Sequence, residues 1–201
     1  VDRLKTLREK GTAREKQYLD NILSSTQRMK HMIDDLLSLS LLSADKTPEH
    51  YSLEKLLNEV LHTFDDKLEE VRAVIKSDGL PEAHIIPTQF KQVFQNLISN
   101  ALKYGKEDVP PVISIACREE KDHWLISVKD NGIGIRQEYF EKIFVIFQRL
   151  HAKDAYTGTG LGLAAVYGII RQHLGWIELQ TVKSEGTVFK IYLPAGQNAQ
   201  V

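Results

Sequence analysis

Four polar residues in one stretch could hold a cation and a phosphate together. Asn96, Asn100, Lys103 and Tyr104 recur at i, i+4, i+7 and i+8, so on a helix they form one stripe. Amide oxygens can ligate Mg²⁺, and an ammonium can meet a phosphate. The same stripe would also serve as an ordinary solvated helix face. Farther on stands Asp130-Asn131-Gly132-Ile133-Gly134-Ile135. Glycines at alternate positions let a backbone approach a flat ligand, and a carboxylate at a strand end can accept a hydrogen bond from an exocyclic amine such as that of adenine. Asn-Gly is equally a hairpin-turn signal, although Ile-Gly-Ile is less typical of a simple turn. Gly158-Thr159-Gly160-Leu161-Gly162-Leu163 opens a helical pattern. N–H groups at a helix start, with glycine freedom before them, make a phosphate cradle, and a flexible hinge has the same composition. The run is no Walker loop, because GxxxxGKS/T is absent. Nor is it a Rossmann fingerprint, because its third glycine comes one residue early and no βαβ unit surrounds it.

Between these motifs, residues 145–157 carry little periodicity, as a mobile lid would. Phe144, Phe147 and Leu150 could latch it, or could be ordinary core residues. None of the seven histidines shows metal spacing, and structural or solvated roles are the default for each. Cys117 alternates with apolar residues and reads as an inert core thiol. No Gly-x-Ser-x-Gly elbow is present.

These groups need elements to position them. The polar stripe rides on a helix whose other face is Phe90, Val93, Phe94, Leu97, Ile98, Ala101 and Leu102, so it lies at the edge of a core. Strands are expected over 71–75, 112–118, 124–128, 176–182 and 187–193, with a turn at Glu185-Gly186, and the second and third of them as antiparallel neighbours. Further helices are expected over 53–64, 137–144 and 161–173. Helices and antiparallel pairs in this order predict an α+β layer with helices on one face of a mixed sheet, not a doubly wound parallel sheet. Upstream, Gly11 closes a short charged helix over 2–10. Thr12-Ala13-Arg14-Glu15 then matches a capping box. Leu19, Ile22, Thr26, Met29, Ile33, Leu36 and Ser40 follow at 3-4 spacing, flanked by Leu23 and Leu37, which predicts a bundle or coiled-coil seam. The pattern breaks at Ala44-Asp45-Lys46-Thr47-Pro48, where a domain boundary is expected.

The chain has 201 residues, enough for a sizeable core without staples. Lys and Arg number 26 against 27 Asp and Glu, a net charge of −1, which leaves no footprint for nucleic acid or an anionic membrane. A single cysteine excludes a disulfide framework and a cysteine-based zinc site. No apolar run reaches membrane-spanning length, and Val1-Asp2-Arg3-Leu4-Lys5 does not read as a secretory h-region. Without Met at position 1, the chain reads as a piece of something longer.

Taken in order, the motifs resemble those of bacterial sensor histidine kinases of the phytochrome-like, PAS-linked type. Residues 95–104 resemble the N box, Asp130-Asn131-Gly132-Ile133-Gly134-Ile135 the G1 box, residues 143–150 the F box, and Gly158-Thr159-Gly160-Leu161-Gly162-Leu163 the G2 box. The resemblance covers about 49–194. It implies the two-layer α/β sandwich of the Bergerat ATP-binding fold over 45–196, followed by a short tail over 197–201. The helix before it, running through Met29-Lys30-His31-Met32-Ile33, resembles the second helix of the dimerisation and phosphoacceptor hairpin, placed over 1–44.

By that resemblance the cofactors are ATP and Mg²⁺. Asn100 would ligate the metal, Lys103 would contact phosphate and Tyr104 the nucleotide's edge. Asp130 would accept the adenine amine, with Gly132 and Gly134 giving close approach. Phe147, Arg149, Gly158, Thr159, Gly160, Leu161 and Gly162 would complete the nucleotide side of the lid. Asn96 stands where related chaperone and gyrase ATPases carry a water-activating Glu, and an amide cannot be that base. The implied reaction is therefore transfer of the γ-phosphoryl group to a histidine and thence to a response-regulator aspartate.

The family's acceptor motif, a His followed by Glu/Asp with Pro four residues after the His, is absent, so the acceptor is expected upstream of Val1. His173-Leu174-Gly175 departs from the usual His-Gly-Gly. The implied partners are a response-regulator receiver domain and a second copy through the hairpin, in the cytoplasm, with no nucleic acid and no membrane contact. A non-catalytic nucleotide-binding scaffold for dimerisation or docking, and a hydrolytic ATPase, are the alternatives.

Overall fold

The structure, a computed structural model, describes residues 12–40, 47–140, 142–145, 160–182 and 185–195. Helix α1 spans Ala13–Ser40. Its capping box closes as the sequence predicts: the Thr12 N–H donates to Glu15 Oε2 at 2.7 Å, and the Glu15 N–H to Thr12 Oγ1 at 3.4 Å. Of the expected seam, Ile22, Met29 and Ile33 are 52, 63 and 59 % exposed, so nothing among the described residues covers it. The side chains of Leu36, Leu37 and Ser40 lie outside the described residues, as does the helix expected over 2–10.

Beyond residue 47 the elements run β1 (Glu49–Ser52), α2 (Leu53–His62), α3 (Asp65–Glu70), β2 (Val74–Ser77), β3 (Glu82–Ile85), α4 (Pro87–Lys103), β4 (Val112–Glu120) and β5 (His123–Asp130). A 3-10 turn (Gln137–Tyr139), α5 (Gly162–Gln172), β6 (Trp176–Val182) and β7 (Gly186–Pro194) follow. β1 and β3 form a two-stranded antiparallel ribbon, and the main sheet has the order β2-β4-β5-β7-β6. Only its β2–β4 pair is parallel, so the sheet is mixed as expected.

Period-2 alternation sends Ile113, Ile115, Ile126, Val128, Phe189 and Ile191 to the helical side, all 5 % exposed or less. Against them pack the apolar stripes of α2 (Leu53, Leu56, Leu57, Val60), α4 (Phe90, Val93, Phe94, Leu97, Ile98) and α5 (Val166, Ile169, Ile170). Each such side chain contributes about 1.5–3 kcal/mol by leaving water, which fixes the faces that α4 and α5 turn outward. Local chemistry sets the ends. Ser52 caps α2 by accepting the Lys55 N–H at 3.2 Å, and Pro87 opens α4 where its missing N–H costs nothing.

Two expectations are corrected. The strand placed over 71–75 is shifted to Val74–Ser77. The charged helix Asp65–Glu70 ends on Val71, and Arg72 turns the chain at φ 52°. The helix expected over 137–144 is a 3-10 turn, because its backbone bonds mostly close over three residues (Phe140 N–H to Gln137 O, Lys142 N–H to Tyr139 O). The ribbon strands β1 and β3, four residues each, went unread.

At its C-terminus α5 forms a Schellman motif. The Gly175 N–H reaches Ile170 O at 2.9 Å and the Leu174 N–H reaches Arg171 O at 3.1 Å, with Leu174 at φ 57°. Beneath it, His173 accepts the Ile86 N–H on Nε2 at 3.0 Å, and its Nδ1 lies 2.8 Å from Ile169 O. The carbonyl can only accept, so Nδ1 carries the proton. The ring also meets Phe90 edge-on at 5.0 Å. The default structural role for this histidine holds.

Candidate functional site

The polar stripe of α4 stands where the periodicity puts it: Asn96, Asn100, Lys103 and Tyr104 are half-buried beside the fully buried apolar face. Lys103 Nζ donates to Tyr104 Oη at 2.9 Å and lies 4.6 Å from the Tyr104 ring centroid, which gathers the ammonium and the phenol at the end of the helix.

Asp130 ends β5, and the loop after it is drawn onto the end of α4. The Ile133 N–H donates to Tyr104 O at 3.0 Å. Gly132 fits there only because it lacks a side chain, since a Cβ would sit 2.4 Å from Tyr104 O. Asn131 holds the loop's other flank, accepting the Val112 N–H at 2.9 Å and donating to Pro110 O at 3.1 Å. Asn131-Gly132 is therefore no hairpin turn, because β5 pairs with β4 and β7 and neither is the element that follows this loop. Gly134 takes φ 70°, and the Ile135 N–H is accepted by Thr181 Oγ1 at 3.0 Å.

The Asp130 carboxylate accepts two backbone N–H groups, from Gly132 at 2.8 Å and Thr187 at 3.1 Å, both on Oδ1. Oδ2 accepts none among the described residues. Burial raises the carboxyl above its ordinary pKa, and the two N–H bonds and the nearby Lys106 charge oppose that rise. A partly desolvated carboxylate with one oxygen held and one open is suited to a neutral donor such as an amine.

The third motif meets the first. Gly162 begins α5 against α4, and a Cβ there would stand 2.7 Å from Asn96 Oδ1. Gly160 turns at φ 77° and Leu161 is 1 % exposed. Its N-cap residue, Leu161, has no side-chain group that could cap the helix. Asn96, Gly162 and the α5 N-terminus thus form one corner, with Tyr104, Gly132 and Asp130 at the other end of the α4 stripe. Phe147, Arg149, Gly158 and Thr159 lie outside the described residues, as does most of the expected lid. Of its latch, Phe144 packs on the core, with its ring 5.6 Å from that of Tyr167.

Sequence reasoning missed Gly186-Thr187. Gly186, at φ 102°, brings β7 so close that a Cβ would lie 2.0 Å from Asp130 O, and Thr187, 5 % exposed, supplies the second N–H to Asp130. The signal is a glycine and a small polar residue entering an apolar strand, but the sequence reads Gly186 as a turn and Thr187 as the start of a strand, with nothing to tie either to Asp130.

Comparison with known proteins follows the same lines. The family described as histidine kinase-, DNA gyrase B-, and HSP90-like ATPase matches residues 85–197. Cyanobacterial phytochrome A of Nostoc sp. is 38% identical over 181 residues, covering 90% of this chain and 24% of that protein. The chain therefore spans about a quarter of that relative's length. Among solved structures, the catalytic domain of histidine kinase ThkA in a nucleotide-free form has 28% identity and a TM-score of 0.63, over 75% of this chain and 97% of that one. The Acinetobacter baumannii histidine kinase AdeS shares the fold at a TM-score of 0.71 and 24% identity, over 93% of this chain and 87% of that one.

Proposed function

Because the chain belongs to the histidine kinase-, DNA gyrase B-, and HSP90-like ATPase family, we propose that residues 45–196 are the Mg·ATP-binding catalytic domain of a two-component sensor histidine kinase. In this reading residues 1–44 are part of its dimerisation and phosphoacceptor hairpin and 197–201 a tail. The observation that carries it is the Asp130 carboxylate, with Oδ1 held by two N–H groups and Oδ2 open. Asp130 receives the adenine amine, and Gly132 and Gly134 keep side chains out of the base's way. Tyr104 borders the nucleotide, and Lys103, paired with it, faces phosphate. Asn100, one turn on from Asn96, offers an amide oxygen of the kind Mg²⁺ accepts. Mg²⁺ supplies charge neutralisation on the phosphates when bound. Gly160, Leu161 and Gly162 form the phosphate side, and Phe147, Arg149, Gly158 and Thr159, which lie outside the described residues, are assigned to the nucleotide by their motifs alone.

Asn96 decides between transfer and hydrolysis. Its amide, set against the start of α5, orients by hydrogen bonding and takes no proton from water. The γ-phosphoryl group then goes to an imidazole supplied from outside this chain, and from there to a receiver-domain aspartate. Catalysis is positioning and charge neutralisation. The exposed Ile22, Met29 and Ile33 on α1 fit a second copy of the hairpin as partner. Among the described residues no helix is long and apolar enough to cross a membrane, and we assign the domain to the cytoplasm.

The test is a calorimetric titration with a non-hydrolysable ATP analogue, first with Mg²⁺ and then with EDTA. Binding that needs Mg²⁺ is expected. No binding in either buffer would overturn the nucleotide site and leave a docking or dimerisation scaffold that binds no nucleotide. With ATP itself in place of the analogue, steady phosphate release without an acceptor would replace transfer by hydrolysis.

A further inference from the structure

We propose that the β1–β3 ribbon carries a second metal site, for a divalent transition metal ion, built from His50 and His84. The two residues face each other directly in the ribbon register. The Leu53 N–H donates to Pro81 O at 3.0 Å, which continues that register by one pair. Hydrogen-bonded pairs alternate along an antiparallel ladder. They therefore fall at Leu53/Pro81, Tyr51/Ala83 and Glu49/Ile85, and His50/His84 is a pair of the other kind. Side chains of non-hydrogen-bonded pairs stand closest across the ladder. Accordingly the two imidazole rings lie 5.2 Å apart, centre to centre, with planes 53° apart.

Imidazole nitrogens bind Zn²⁺ at about 2.0–2.1 Å, so two of them on a tetrahedral ion stand roughly 3.3 Å apart. Rings at this spacing reach that separation by rotation about their own side-chain bonds, with no movement of either strand. Both residues are exposed, so an ion enters from solvent. The donor type selects the metal: imidazole suits Zn²⁺, Ni²⁺ and Cu²⁺, whereas Mg²⁺ prefers oxygen. The site is therefore independent of the Asn100 amide and of the nucleotide. Among the described residues no third His, Cys, Asp or Glu completes the set, and of the three ions Cu²⁺ binds such a pair most tightly. Ligation needs neutral imidazoles, so protons compete with the metal.

The ribbon has only four residue pairs, and an isolated two-stranded ladder is marginal in water. A metal bond across it would fasten β1, the first element after the expected domain boundary, to β3 and hence to the start of α4.

The experiment is a titration of the untagged full chain with Ni²⁺ and Zn²⁺ in Mg²⁺-free buffer, read by calorimetry and by thermal melting. His50→Asn and His84→Asn are compared with His62→Asn, whose ring pairs with Asp65 instead. All three side chains are exposed, and circular dichroism verifies that the variants fold. One Ni²⁺ site is expected in the parent and in His62→Asn, weakened by at least about tenfold in each of the other two. A metal-induced rise in Tm is expected only where both histidines remain. The proposal fails if the parent binds neither ion. It also fails if either single variant binds as the parent does, which would leave the ring contact as packing alone.

Discussion

A carboxyl group partly withdrawn from water resists ionisation, and Asp130 is in that position with two N–H groups on one oxygen. Its pKa is raised on folding, so the stability it contributes is present below its unfolded value and lost as pH rises through the folded one. At neutral pH the charge is a cost to the fold, which the proposed adenine contact would put to use. Asp130→Asn should therefore leave urea stability at pH 7 undiminished while weakening the ATP analogue by about 1–3 kcal/mol, the scale of a hydrogen bond to a charged group. Paired unfolding and calorimetric titrations check this, and parental affinity in the variant would move the adenine site elsewhere. The glycines separate by what they touch. Gly132→Ala drives a methyl into a backbone carbonyl and should cost about 1–3 kcal/mol of stability. Gly162→Ala meets only the end of the Asn96 side chain, which can turn aside. Its loss in unfolding free energy should be the smaller of the two, and equal losses would mean that Asn96 is locked in place.

At the scale of elements, α5 is closed at its C-terminus by unusual means. Its C-terminal Leu174 occupies a left-handed position that normally takes glycine. Because that conformation costs an L-residue roughly 1–2 kcal/mol and the side chain is exposed, Leu174→Gly should stabilise the chain by about 1 kcal/mol in chemical denaturation. Next to it, burial lowers the pKa of His173, and a nearby His84 charge adds to that. The sign is opposite to that of Asp130: the stabilisation is present above about 6.5, the ordinary imidazole value, and is lost as pH falls through the folded value. Unfolding free energy should fall on acidification below 6.5, and His173→Ala should be less stable at pH 7 with a flatter acid limb. A limb as steep as the parent's would assign the loss to other groups. The helices that carry the site were legible because the 3.6-residue stripe from Phe90 to Leu102 is long. β4, β5 and β6 were legible through alternation and branched residues. The misses have physical causes. α3 is short and charged all round, β1 has no clear alternation, and β3 shows its Ala83/Ile85 alternation over only four residues. The contact of Gly186 with Asp130 joins residues that only the β5–β7 pairing brings together, which no local pattern reveals.

For the whole molecule, the question is what the chain does alone. No histidine in it stands in an acceptor motif, so incubation with labelled ATP should give no acid-labile, base-stable label, while an added acceptor hairpin should be labelled. Label on the chain by itself would place the acceptor among its own seven histidines. The uncovered face of α1 should draw two copies together, weakly, in sedimentation at rising concentration; a monomer at every concentration would leave that face for another partner. One further consequence lies in the β4–β5 hairpin. Its two-residue bend at Lys121-Asp122, with Lys121 at φ 57°, sits at the opposite end of β5 from Asp130. Eight residues of strand put it about 26 Å away. A dye, an affinity handle or an inserted reporter domain attached at that bend would leave the nucleotide pocket clear, so the hairpin is a natural anchoring point for turning this chain into an immobilised ATP sensor.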